Sequence, residues 1–290
     1  RNSTMIIKKV KDYMSAPIHV IERNEPIQTA RNMMFKYGIG RLPVMDGGKL
    51  GGIVTKYDIT NRLNQASPEW RRRPIDKVPI QVVMTEKPIT IFPDATMPQA
   101  AELLLENGIS GLPVERDGEI VGMITSRDMM KYFSEQDLKA TVGDMMSKDV
   151  LRVHRHHTIG HVLEEMNLQG QSRALVYEDN TTPVGIVTRS GLTFSEMMGP
   201  KDEMETKNIK MTRKESTAGR KQYRYVKQMP FVAEDIMTSP IFTIGSEVKA
   251  VQASKTLVEK NIIGMPVIDN NEVIGYFSAD EVITEIGRWK

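Results

Sequence analysis

Between Pro88 and Phe133 the spacing of apolar positions changes several times. Pro88-Ile-Thr-Ile91 is a short β-prone run closed by Pro93-Asp94. From Met97 the apolar residues Met97, Ala100, Ala101, Leu104 and Leu105 recur at helical spacing, until Asn107-Gly108 stops them. Gly111-Leu-Pro-Val114 predicts a short strand, Arg116-Asp117-Gly118 a turn, and Ile120 to Thr125 a second apolar strand. A final helix is expected from Ser126 to about Phe133. The pattern is that of a β-α-β-β-α unit.

The same pattern occurs four times. Met14, Met84, Met146 and Met237 serve as anchors. Ile21, Ile91, Val153 and Ile244 follow at one fixed distance, and Ala30, Ala100, Val162 and Ala253 at a second. Further on come Pro43, Pro113, Leu175 and Pro266, then Gly52, Gly122, Gly185 and Gly275, of which only Gly185 is displaced, by one position. Such self-similarity marks a repeat architecture. One copy holds roughly 55 residues, near the lower limit for independent stability, so copies are expected to pack in pairs that bury their sheet faces. The expected organisation is α+β, with copies at 8–64, 78–134, 140–198 and 231–290. A linker at 65–77 carries Pro68, Trp70 and Arg71-Arg72-Arg73-Pro74, and an insert spans 199–230.

Two strand-to-helix junctions carry the motif G-x-x-T-x-x-D. They read Gly52-Ile-Val-Thr55-Lys-Tyr-Asp58 and Gly122-Met-Ile-Thr125-Ser-Arg-Asp128, preceded by Leu42-Pro-Val44 and Leu112-Pro-Val114. Copy three reads Gly185-Ile-Val-Thr188-Arg-Ser-Gly191, with no carboxylate at the last position. Copy four reads Gly275-Tyr-Phe-Ser278-Ala-Asp-Glu281, with a longer one. Threonine and aspartate three apart at a helix start form a capping box, worth about 0.5–2 kcal/mol for the cap. The same groups suit a ligand. A carboxylate accepts the two hydroxyls of a ribose diol, and the free N–H groups of a helix start attract phosphate. The two roles are compatible.

These motifs, repeated fourfold, resemble the cystathionine-β-synthase-type (CBS) domains. Four copies in one chain are similar to the regulatory γ subunit of AMP-activated protein kinase and its stand-alone archaeal relatives. The resemblance implies two pseudo-twofold pairs with adenosine ligands in the clefts between paired copies. It implies that Asp58 and Asp128 accept the ribose diol, while Thr55, Thr125, Thr188 and Ser278 contact ribose or phosphate. Gly191 puts a diol site on copy three in doubt, and Glu281 alters the one on copy four. Arg41 and Arg173 directly precede the middle strand, where the kinase subunit carries phosphate-facing basic residues; copies two and four have Gly111 and Gly264 there. Lys56, Arg127 and Arg189 stand beside the threonines in the first helical turn, where solvated surface charge is the favoured reading.

Composition narrows the field modestly. With 40% hydrophobic and 26% charged residues the 290-residue chain is ordinary globular material. Its net charge of +2 advertises no polyanionic partner. The absence of cysteine excludes disulfides, thiolate metal sites and a cysteine nucleophile. No signal-like or membrane-length apolar run occurs, so a cytoplasmic location is expected. No nucleophile–base–orienter set and no phosphate-binding glycine loop appears, so catalysis is not expected. His154, His156, His157 and His161 cluster without the ligands that would complete a metal set, and no metal site is assigned. The 20 methionines recur at strand entries and helix faces, where they fill core.

The insert holds nine basic and four acidic residues. Lys210 to Lys214 and Lys221 to Lys227 alternate around Ser216-Thr-Ala-Gly219, which predicts a hairpin with Tyr223 and Tyr225 on one face. The expected function is a ligand-sensing regulatory module for AMP, ADP, ATP or a related adenosyl compound, read by a protein partner or by self-association. The alternative is a nucleic-acid-associated protein that holds phosphates through the insert and Arg71 to Arg73.

Overall fold

Each copy begins with a leader ahead of its helix and hairpin, and the leaders do not stay with their own copies. The structure, a computed structural model, describes residues 7–59, 77–179, 183–189, 191, 206–214 and 222–289, the segments 206–214 and 222–230 by backbone only. The linker, apart from Lys77, and the turn at Ser216 to Gly219 lie outside the described residues.

Copy one contains β1 (Ile21–Glu22), α1 (Ile27–Tyr37), β2 (Arg41–Asp46) and β3 (Lys49–Thr55). Copy two contributes β4 (Thr85–Glu86), α2 (Met97–Glu106), β5 (Gly111–Arg116), β6 (Glu119–Thr125) and α3 (Ser126–Ser134). Copy three runs through α4 (Val142–Met145), β7 (Arg152–His154), α5 (Ile159–Leu168), β8 (Arg173–Tyr177) and β9 (Pro183–Thr188). The insert forms β10 (Thr206–Lys214) and β11 (Gln222–Pro230). Copy four ends the chain with α6 (Ala233–Ile236), β12 (Ile244–Gly245), α7 (Ala250–Glu259), β13 (Gly264–Asp269), β14 (Glu272–Ser278) and α8 (Ala279–Gly287). The architecture is α+β and carries the expected fourfold unit.

Local chemistry explains these elements. Thr96 and Gln99 cap α2 reciprocally: Thr96 Oγ1 accepts from the Gln99 N–H at 3.3 Å, and Gln99 Oε1 from the Thr96 N–H at 2.9 Å. Gly108, at φ +60°, takes the left-handed turn that ends the helix. Asp117 and Gly118 both have positive φ, as the tight two-residue turn between β5 and β6 requires. In all four copies the hairpin register slips at the valine of the middle strand: Val44, Val114, Val176 and Val267.

The chain divides into two compact units, 1–62 with 76–150 and 241–290, and 63–75 with 151–240. In the first, β4 of copy two pairs antiparallel with β3 of copy one, and Ser15 of copy one bridges Met123 of copy two. The exchange is reciprocal, as a twofold pair requires. Methionine sulfur seals each crossing. Met84 Sδ lies 2.8 Å from the place a Cβ would take on Gly52, and Met14 Sδ 2.6 Å from that place on Gly122. Met146 of copy three covers Gly275 of copy four in the same way, its Sδ at 2.6 Å. Any side chain at these glycines would collide with the sulfur.

The core of this unit is built mainly from copies two and four. Helices α2 and α3 pack against α7 and α8 around Leu104, Tyr132, Phe133, Leu257, Phe277 and Ile286. Trp289 stacks on Phe133 with ring centroids 5.8 Å apart and meets Tyr132 edge-on at 5.7 Å. Ser254, buried in the bundle, donates to the Met130 carbonyl at 2.8 Å, which satisfies its hydroxyl.

In the second unit, β7 pairs parallel with β8 and β8 antiparallel with β9, over a core of Leu151, Val153, Ile159, Val162, Met166, Val176 and Val187. The leader of copy four closes this sheet: Thr238 bridges Ile186, and Met237 presses on Gly185. The insert is an antiparallel ribbon in which Thr206 to Lys214 pairs with Gln222 to Pro230. Its strands are longer than the alternation indicated, and Tyr223 and Tyr225, two residues apart, share one face of β11.

Candidate functional site

The two intact motifs lie in the first unit, each at the end of the last strand of its hairpin. In copy one, Asp58 Oδ2 accepts from the Thr55 N–H at 2.8 Å and from the Thr55 hydroxyl at 2.7 Å. Copy two repeats this geometry, Asp128 Oδ2 accepting from the Thr125 N–H at 2.8 Å and its hydroxyl at 2.7 Å. The capping role is therefore real. It takes one carboxylate oxygen, and a second is available in chemical principle to accept from a diol. Burial raises the Asp128 pKa, against the opposing pull of the Thr125 hydroxyl and N–H.

Between the motifs lies Arg41. It opens β2 opposite Thr55, as Gly111 opens β5 opposite Thr125. The guanidinium crosses from copy one onto copy two. Its Nη2 donates to Ser110 Oγ at 2.8 Å, and its Cζ lies 2.8 Å from the place a Cβ would take on Gly111. Arg41 keeps some solvent contact, yet enough protein encloses it that burial draws its pKa down to about 10. Asp128 first and Asp58 second act in the opposite sense and hold the positive charge. At neutral pH it is a cation between two carboxylates. Lys56 is half-buried, its pKa lowered by burial, and its N–H donates to the Gly40 carbonyl at 3.0 Å. Arg127 is exposed.

Copies three and four differ. Thr188 Oγ1 accepts from the Gly191 N–H at 3.1 Å, which caps the backbone without a carboxylate. Arg173 opens β8 opposite Thr188. Arg189 is spent locally: Nη1 donates to Asn167 at 2.6 Å and Nη2 to the Gln171 carbonyl at 3.2 Å. In copy four, Glu281 Oε2 accepts from the Ser278 N–H at 2.8 Å and its hydroxyl at 2.6 Å, so the longer side chain closes the same box. Ser278, however, is 1% exposed. The Tyr276 ring lies over Gly264, its Oη 2.9 Å from the place a Cβ would take there, with Ser278 Cβ at 2.7 Å. An aromatic side chain of copy four thus fills the position that Arg41 takes over Gly111.

Four of the five histidines gather in the second unit. The rings of His157 and His161 lie 4.6 Å apart and those of His154 and His156 5.0 Å apart, while Arg155 Nε donates to Glu234 at 2.6 Å. Among the described residues no group of three or more histidine or acidic side chains could hold a metal, and no helix is long and apolar enough to cross a membrane.

Four CBS domains match this chain, at residues 10–65, 80–135, 142–194 and 232–288, and it belongs to that family. Its relatives include the uncharacterized protein MJ1404 of Methanocaldococcus jannaschii, 24% identical over 99% of this chain; the chain spans 63% of that protein's length. Among solved structures it is similar in fold to MJ1225 of the same organism, a proposed archaeal homologue of the AMP-activated protein kinase γ subunit. The TM-score is 0.76 at 20% identity, covering 96% of this chain and 99% of that one. The CBS pair of protein MJ0100, in complex with 5′-methylthioadenosine and S-adenosyl-L-methionine, is 34% identical over 44% of this chain and 97% of its own, with a TM-score of 0.39.

Proposed function

We propose that the chain is a non-catalytic regulatory module that binds an adenine nucleotide or related adenosyl compound between copies one and two. One observation carries the reading: a single enclosed guanidinium, Arg41, stands between two motif carboxylates, Asp58 and Asp128. Carboxylates suit a ribose diol and a guanidinium suits a phosphate, and both kinds of hydrogen bond are charge-assisted. Thr55 and Thr125 set the carboxylates, while Lys56 and Arg127 add positive charge near the phosphate end. Thr188 with Arg173, and Ser278 with Glu281, are the weaker counterparts in copies three and four.

Because the leaders of copies one and two are exchanged, a ligand that draws the motifs together also changes how the copies pack. A protein partner, or a second copy of the chain, reads that change. Calorimetric titration with AMP, ADP, ATP and S-adenosylmethionine tests the reading. Binding in the micromolar range and a rise in melting temperature by mass action are expected. Absence of heat and of any melting shift with all four ligands would sink it. RNA retention that falls steeply with salt and disappears on deletion of 205–228 would favour the nucleic-acid alternative instead.

A further inference from the structure

Copies one and two present the same motif twice, each with a basic residue beside its threonine, Lys56 or Arg127, but with only one arginine at the start of the middle strand. Arg41 and Gly111 hold the same register, each opposite its motif threonine. A pair of matching phosphate sites calls for a pair of cations. Here one strand supplies the guanidinium and the other the space it lies in. A Cβ on residue 111 would stand 2.8 Å from Arg41 Cζ and 3.1 Å from its Cδ, so glycine is what admits the crossing. Ser110 then holds the guanidinium on the far side, from copy two. Both carboxylates act on it, Asp128 more strongly than Asp58.

Building on the nucleotide reading above, we propose that Arg41 is one cation shared by two adenosyl half-sites, so that the pair takes one phosphorylated ligand at a time. A phosphate at either motif engages the guanidinium. A second would arrive to find the cation committed and a like charge beside it, which disfavours entry. Adenosine carries no phosphate and needs only the diol acceptor. It fills both half-sites.

Equilibrium dialysis of the full chain, wild type and Asp58→Ala/Asp128→Ala, counts the ligands that depend on these motifs and cancels any held by copies three and four. The expected difference is one AMP but two adenosines per chain. Arg41→Met weakens AMP at least tenfold and leaves the adenosine count at two. Gly111→Arg, whose Cβ meets the flexible side chain of Arg41 first, supplies a second cation at this position and raises the AMP difference to two. A wild-type difference of two AMP molecules filling with equal affinity overturns the sharing while keeping the nucleotide reading. So does equal weakening of AMP and adenosine by Arg41→Met. Failure of AMP and adenosine to bind the wild type overturns the sharing, and failure of ADP, ATP and S-adenosylmethionine as well overturns the nucleotide reading itself.

Discussion

Copies two and four are built alike and furnished differently. Each gives two helices to the same bundle, each has a hairpin with its register slip at the same valine, and each lies under a methionine from another copy. They part at the first residue of the middle strand. Over Gly111 lies the long side chain of Arg41, which belongs to copy one and is held at its end by Ser110. Over Gly264 lies Tyr276, which belongs to copy four itself and is 5% exposed. Thr125 keeps solvent contact, whereas Ser278 does not. The scaffold is thus indifferent to what occupies the cleft. On the reading proposed above, a charged filler can hand its place to a ligand, and an aromatic packed from within cannot.

If that contrast holds, the largest difference is in binding. Asp58→Ala and Asp128→Ala each remove a charged hydrogen-bonding partner, costing about 1.5–3 kcal/mol, or roughly 10- to 100-fold in affinity. Glu281→Ala, in a motif whose serine is buried, should change calorimetric affinity by less than about threefold. Comparable losses from all three would erase the distinction between the copies.

Stability offers a second comparison, read by thermal melting. A methyl group on Gly264 meets Ser278 Cβ and the Tyr276 ring, both held by packing, so Gly264→Ala should cost about 1–3 kcal/mol. Gly111→Ala meets the flexible side chain of an arginine first and should cost less than about 1 kcal/mol. The reverse order would mean that Arg41 is the more firmly packed filler.

The smallest effect concerns the histidines of copy three. Burial, then His161 and His154, hold the His157 pKa below its ordinary value, with Glu165 opposing. The unfolded chain therefore takes up this proton more readily, and stability falls as pH drops through about 6.5. The ring is partly solvated, which keeps the loss small. Melting between pH 7.5 and 5.5 should show a drop that His157→Gln reduces; an equal drop in the variant would move the effect elsewhere.

Much of the scaffold was legible before the structure. Period changes predicted α2, β5, β6 and α3 within a residue or two, because a half-buried helix and a half-buried strand impose different spacings on the same apolar residues. The methionine and glycine series were both visible, yet nothing local shows that they touch. That Met84 covers Gly52, and Met14 Gly122, depends on the leaders crossing between copies. The candidate site's geometry was half legible. Thr-x-x-Asp spacing indicated a cap and its carboxylate, whereas the reach of Arg41 across Gly111 is a relation between two copies. The alternation of Arg41 with Gly111 was the available sign, since a cation facing a residue without a side chain has room to cross. Tyr276 gave no comparable sign: its counterparts in the other copies are Ile53, Met123 and Ile186, and an aromatic there passes for ordinary core.

The crossed leaders also have a consequence for the genetics of the chain. A mutation that excised one copy alone would strip the sulfur from a glycine in its neighbour and leave a methionine with nothing to cover. Excision of two copies that exchange leaders would do neither. Gain and loss of length in such a chain should therefore proceed by even numbers of copies, with the doublet, and not the repeat, as the inherited piece.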